Sequence, residues 1–188
     1  MRKEKDSLGE KDIEDVYYGI HTARALENFN IKNKRVNEEL IKAIALIKIA
    51  AAEANKKAGK LDENIANAIK EAANDLIVGN YIDAFVLPSI QGGAGTSTNM
   101  CINEVIANIA LEKLGHNKGD YQIISPLDHV NHSQSTNDVY PTAVKIASIK
   151  LLRELLDETM ALQQELQNKE KEFSNVLKTG RTQFQDAV

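Results

Sequence analysis

Hydrophobic positions recur at helical spacing along most of the chain. Asn37 offers a capping side chain, Glu38 and Glu39 follow it into a positive first turn, and Gly59 supplies a stop. Between them runs LIKAIALIKIAAAEA, residues 40–54, apolar on nearly every side and interrupted by Lys42, Lys48 and Glu53. It is short for a membrane span, so it reads as a buried helix with neighbours on several faces. Asp62 caps the next segment, DENIANAIKEAANDLIVG, which sets Ile65, Ile69, Ala72, Ala73 and Leu76 on one face and ends at Gly79. YIDAFVLPSI mixes apolar residues with Pro88 and predicts extended or irregular chain. An amphipathic helix is expected over residues 97–114 with Gly115 as its stop, and residues 119–127 read as a loop.

The longest helix is predicted to begin after SQSTND, near Pro141, a residue tolerated in a first helical turn. Val144, Ala147, Leu151, Leu155, Leu162 and Leu166 share one stripe, widened by Ile149, Leu152, Leu156 and Met160. Lys145, Lys150, Arg153, Asp157 and Gln164 lie opposite. The pattern lasts until Glu172, which is long for a globular helix, and its broad apolar face calls for a bundle. NVLKTGRTQFQDAV then offers a strand-like run and a turn at Gly180, but no closing element. The stripe therefore needs partners, from further chain or from other subunits.

Composition narrows the function classes. The 188 residues can bury one sizeable core, and 43% apolar with 27% charged residues is a globular balance. A net charge of -4 argues against a nucleic-acid surface, which needs clustered cations. The single Cys101 rules out an internal disulfide and suits a reducing compartment, and MRKEKDSLGE has no apolar signal segment. A cytoplasmic protein without membrane contact is expected.

Candidate chemistry sits in three polar clusters. In QGGAGTSTNMCINEV, Gly92, Gly93 and Gly95 allow positive φ and close approach of backbone to a ligand, while Thr96, Ser97 and Thr98 bring hydroxyls to a helix N-terminus, a natural anion site. A cap plus a flexible loop accounts for the same residues. A nucleotide loop does not, because the GxxxxGK[ST] spacing fails. SQSTND repeats the logic: Ser135, Thr136 and Asn137 stand just before a helix, with Thr136 or Asp138 as the expected cap. GRTQ adds Arg181, Thr182 and Gln183, which a surface turn also explains. Two hydroxyl-rich helix entrances in one chain suggest a shared carboxylate-binding pocket. His129 and His132 stand in an expected loop with no thiol nearby and no HExxH pattern, so no metal site is expected from them. Cys101 reads as a packed core thiol.

Taken together, QGGAGTSTNMCINEVIAN, HVNHSQSTNDVYPT, GRTQFQDAV and the leader DSLGEKDIEDVYYGIHTARALENF resemble the aspartase/fumarase superfamily, in order and over essentially the whole chain. YYGIHT, Thr136 and Gln183 are nearer its ammonia-lyase branch than its fumarases, and Cys101 replaces the Asn usual at that position. The resemblance implies a mainly α fold: an N-terminal helical domain over residues 1–140, then the first long helix of a central helical bundle over 141–188, incomplete here. It implies elimination of ammonia from L-aspartate to give fumarate through an enediolate, with no cofactor and no metal ligands in this chain. Thr96, Ser135 and Thr136 are expected to hold the carboxylate that becomes the enediolate, Asn137 the amino group, and Thr182 and Gln183 the other carboxylate. The family's third signature, a serine-rich GSSxMPxKxN loop carrying the base, is absent from these residues. It is expected downstream of Val188, leaving the chain alone inactive. The family implies a homotetramer acting on a small-molecule substrate. Fumarate hydratase and a non-catalytic helical oligomerisation module are the alternatives.

Overall fold

The structure, a computed structural model, describes residues 1–31 and 34–185. It is mainly helical, as expected. A short antiparallel hairpin, β1 (Arg2–Asp6) and β2 (Gly9–Ile13), opens the chain with Arg2 opposite Ile13. Helices α1 (Ile20–Asn28), α2 (Glu38–Lys57), α3 (Glu63–Ile77), α4 (Thr96–Lys113) and α5 (Thr136–Phe173) follow. No helix among the described residues is long and apolar enough to cross a membrane.

The two central caps form as the sequence dictates. Asn37 accepts from the Glu39 N–H at 2.8 Å, and Asp62 Oδ1 accepts from the N–H groups of Asn64 and Ile65. α2 and α3 pack into a core of small and branched residues: Ile41, Ile44, Ala45, Ile69, Ala72 and Leu76 are all buried. Each branched side chain buried here stabilises by roughly 1.5–3 kcal/mol.

α4 departs from its expected amphipathic character. Every residue from Thr98 to Leu111 is buried, including Asn99, Asn103, Glu104 and Asn108. Most of these polar groups find partners inside, as buried polar groups tend to, although Asn99 Oδ1 and Asn103 Oδ1 have none among the described residues. Asn108 donates to the Tyr17 carbonyl and Tyr121 Oη and accepts from the Gly119 N–H. Glu104 reaches α1: its carboxylate accepts from the N–H groups of Gly19, His21 and Thr22 and from Thr22 Oγ1 at 2.7 Å. Glu4 accepts from the Ile20 N–H at 2.8 Å. Two carboxylates from distant segments thus satisfy the free donors of the α1 N-terminus, where a helix favours negative charge. Burial pushes the Glu104 pKa up, against the pull of these donors.

Other expectations shift locally. α5 starts at Thr136, so Pro141 lies inside the helix instead of in its first turn. The cap is Ser135, whose Oγ accepts from the Asn137 N–H at 3.2 Å, and not Thr136 or Asp138. A short 3-10 turn, Ile82–Ala84, interrupts the irregular stretch before Pro88. Pro126–Val130 form a π turn at the end of the expected loop, with Ser125 as its cap. Residues 176–180 are irregular instead of strand-like.

By internal packing the chain divides into residues 1–148 and 149–188. In the second unit every described residue is exposed, including Leu151, Leu155, Met160, Leu162 and Leu166 of the apolar stripe.

Candidate carboxylate-binding site

The glycine loop is held at its base by Gln91. Gln91 Nε2 donates to the Pro88 carbonyl at 2.6 Å, and Gln91 Oε1 accepts from Thr98 Oγ1 at 3.1 Å. Gly93 and Gly95 have φ of 96° and 86°, the left-handed region that favours glycine, whereas Gly92 does not. At Gly95 a second constraint applies. A Cβ there would stand 2.4 Å from Cγ and Cδ2 of the Tyr140 ring, so only glycine lets α5 come this close to the entrance of α4.

The contact joins the first two polar clusters. Gly93, Gly95, Gln91, Asn137, Tyr140 and Pro141 line one hollow of about 280 Å³. Gly95 is the N-cap of α4 and carries no side chain to cap it, so the first-turn N–H groups keep their donor capacity. Thr96 is exposed in that first turn, Ser135 is exposed at the cap of α5, and Asn137 is exposed in the first turn of α5. Thr136 is half-buried. Its Oγ1 accepts a hydrogen bond from Asn99 Nδ2 at 3.1 Å. That bond occupies a lone pair and leaves the Thr136 hydroxyl proton as the group available for donation.

Thr182 and Gln183 belong to the second unit. Both are exposed; Thr182 Oγ1 donates to the Gln185 carbonyl at 3.3 Å, and Arg181 Nη1 donates to the Gln183 carbonyl at 3.1 Å. The last three residues of the GRTQFQDAV motif lie outside the described residues. His129 Nδ1 accepts from the Ser125 N–H at 2.8 Å and so stabilises the π turn. Cys101 is free and buried, and burial pushes its pKa up to about 12, far from a reactive thiolate.

A buried polar network lies beneath Thr136. Lys48, fully buried on α2, donates to Asn131 Oδ1 at 3.0 Å and Gln134 Oε1 at 2.9 Å. Asn131 Oδ1 also accepts from Asn99 Nδ2 and Asn103 Nδ2, each at 3.1 Å. Burial alone pulls the Lys48 pKa down to about 7. Two signals in the sequence pointed to it: a lysine inside an otherwise apolar run, and two asparagines four residues apart on one helix face.

Comparisons with known proteins converge. A family model described as "Lyase" matches residues 10–188. The chain is 54% identical over 188 residues to the aspartate ammonia-lyase of Bacillus subtilis, covering 100% of this chain and 40% of the relative. It is 46% identical over 192 residues to the aspartate ammonia-lyase of Escherichia coli K12, again covering 100% of this chain and 40% of the relative. Its fold is similar to the crystal structure of a fumarate lyase:delta crystallin from Brucella melitensis, with a TM-score of 0.91 and 50% identity over 100% of this chain and 44% of that one. A class II fumarase from Schistosoma mansoni follows at a TM-score of 0.87 and 36% identity, covering 100% of this chain and 40% of that one. The chain thus spans about 40% of the length of the curated relatives it matches.

Proposed function

The chain belongs to this lyase family, the aspartase/fumarase superfamily, and from that membership we propose that it forms the N-terminal part of an aspartate ammonia-lyase. The reaction is a reversible carbon–nitrogen elimination from L-aspartate to fumarate and ammonia. In this reading residues 1–140 form the N-terminal domain and residues 141–188 begin a central helical bundle.

The hard step is loss of a proton from the carbon next to a carboxylate. The electron pair left behind is tolerable only as an enediolate, with two negative charges on the carboxyl oxygens. It then expels the amine as the carbon–carbon double bond forms. The overall change is redox-neutral and needs no electron carrier. Preorganised donors aimed at the growing charge are typically worth about 3 to 4 kcal/mol each. Thr96, Ser135 and Thr136 take that role, beside the uncapped N-terminus of α4. Asn137 contacts the amino group, and Thr182 and Gln183 are assigned the other carboxylate. The observation that carries the reading is the Asn99–Thr136 hydrogen bond, which leaves the Thr136 hydroxyl as a donor.

The base is assigned outside these 188 residues. The exposed stripe of Leu151, Leu155, Met160, Leu162 and Leu166 supports burial in a multi-chain bundle, a homotetramer in the complete enzyme. The reaction is assigned to the cytoplasm, in keeping with a free, buried Cys101.

Fumarate hydratase is the second reading, favoured by the likeness to a class II fumarase. Assays of a full-length lyase that contains this chain separate the two. Fumarate formation from L-aspartate is expected, with little or none from malate; turnover of malate alone would reverse the assignment. In the same assay the 188-residue chain by itself is expected to be inactive.

A further inference from the structure

Lys48 stands in the middle of α2 among alanines and isoleucines, with its side chain fully buried. A buried ammonium is costly, and it is normally offset by a carboxylate. Among the described residues Lys48 has none, and no second cation bears on it. Its hydrogen-bond acceptors are neutral amides, Asn131 Oδ1 and Gln134 Oε1, both in the segment that leads into α5.

From there the bonds run in one direction. Asn131 Oδ1 receives donors from Lys48, Asn99 and Asn103. This fixes the Asn99 amide with its Nδ2 between Asn131 Oδ1 and Thr136 Oγ1, at 3.1 Å from each. The Thr136 oxygen is thereby held as an acceptor, which leaves its proton free to be donated elsewhere. A methionine of similar length would fill the same space without the desolvation cost. Packing alone therefore gives no reason for a cation here.

We propose that Lys48 is a positioning residue of the carboxylate site: its buried side chain orients the Thr136 hydroxyl through Asn131 and Asn99. Lys48 touches no substrate in this scheme. The proposal rests on the reading of Thr136 as a carboxylate donor.

The test is a double-mutant cycle in the full-length lyase with Lys48→Met, Thr136→Ala and the pair. Lys48→Met is expected to lower kcat by about tenfold or more with KM within about threefold, because the loss falls on charge that develops in the transition state. A purely structural lysine would instead shift the melting temperature and leave kcat of the folded fraction near normal. In the Thr136→Ala background Lys48→Met is expected to remove no more than about a further twofold, the mark of two residues acting through one contact. Fully multiplicative losses, or a Lys48→Met kcat near wild type while Thr136→Ala is impaired, overturn the role of Lys48 and leave the site reading standing. A normal rate for Thr136→Ala removes the site reading, and this proposal with it. Should Lys48→Met not fold, wild-type enzyme labelled with 13C-lysine decides the matter. Saturating fumarate is expected to raise the titration midpoint of Lys48, and an unmoved midpoint overturns the proposal.

Discussion

Replacing Thr136 by alanine in the full-length lyase is expected to lower kcat by about 10²- to 10³-fold while the fold survives. The size follows from charge. A hydroxyl donor matters little to a substrate carboxylate that water also solvates, and far more to an enediolate with two negative charges in a closed site. The tolerance of the fold follows from geometry. Thr136 is half-buried and its side chain accepts one bond, from Asn99, whose Nδ2 keeps Asn131 as a second partner. Steady-state kinetics with a far-UV spectrum and a melting curve check both halves. A rate within a few-fold of wild type would remove Thr136 from the site.

The largest effect on stability is expected at Glu104. Alanine there leaves the N–H groups of Gly19, His21 and Thr22 and the Thr22 hydroxyl without their acceptor, in a buried place water does not easily reach. Each stranded donor costs about 1–3 kcal/mol. Some relaxation offsets this, and a net loss of about 3–5 kcal/mol is expected. For a domain of this size that corresponds to a melting temperature lower by about 6 °C or more. Gly19 reinforces the point: a Cβ on it would lie 2.6 Å from Tyr121 Oη, 2.7 Å from Glu4 Oε2 and 2.8 Å from Glu104 Oε1, so the carboxylates are packed against the helix start. A melting temperature unchanged by Glu104→Ala would show that the α1 cap is dispensable.

What the sequence revealed and concealed divides by range. Asn37 and Asp62 were legible as caps because a cap is settled by a side chain and the two or three residues after it. Ser135 was harder. Four consecutive residues, Ser135, Thr136, Asn137 and Asp138, can all cap, and nothing local ranks them. Pro141 misled because a missing N–H costs nothing in a first turn; in the second turn it costs one helical bond, which α5 absorbs.

The helix over residues 97–114 is expected to be amphipathic, yet its polar side chains from 98 to 108 are buried too. They are buried because their partners come from Tyr17, Gly19, Thr22 and Asn131, far along the chain. Lys48 stood out in its apolar run, but its partners were concealed for the same reason. They lie 83 and 86 residues away. The three polar clusters were visible as composition, but only the fold shows Tyr140 lying on Gly95 and bringing the first two to one hollow.

A crystal structure of the full-length lyase with succinate, a dicarboxylate that cannot eliminate, would probe the carboxylate site without relying on any variant. One succinate carboxylate is expected within about 3.2 Å of Thr136 Oγ1 and beside the first turn of α4. Succinate seated on other residues, with Thr136 still bonded only to Asn99 and facing a space the ligand does not enter, would contradict the account.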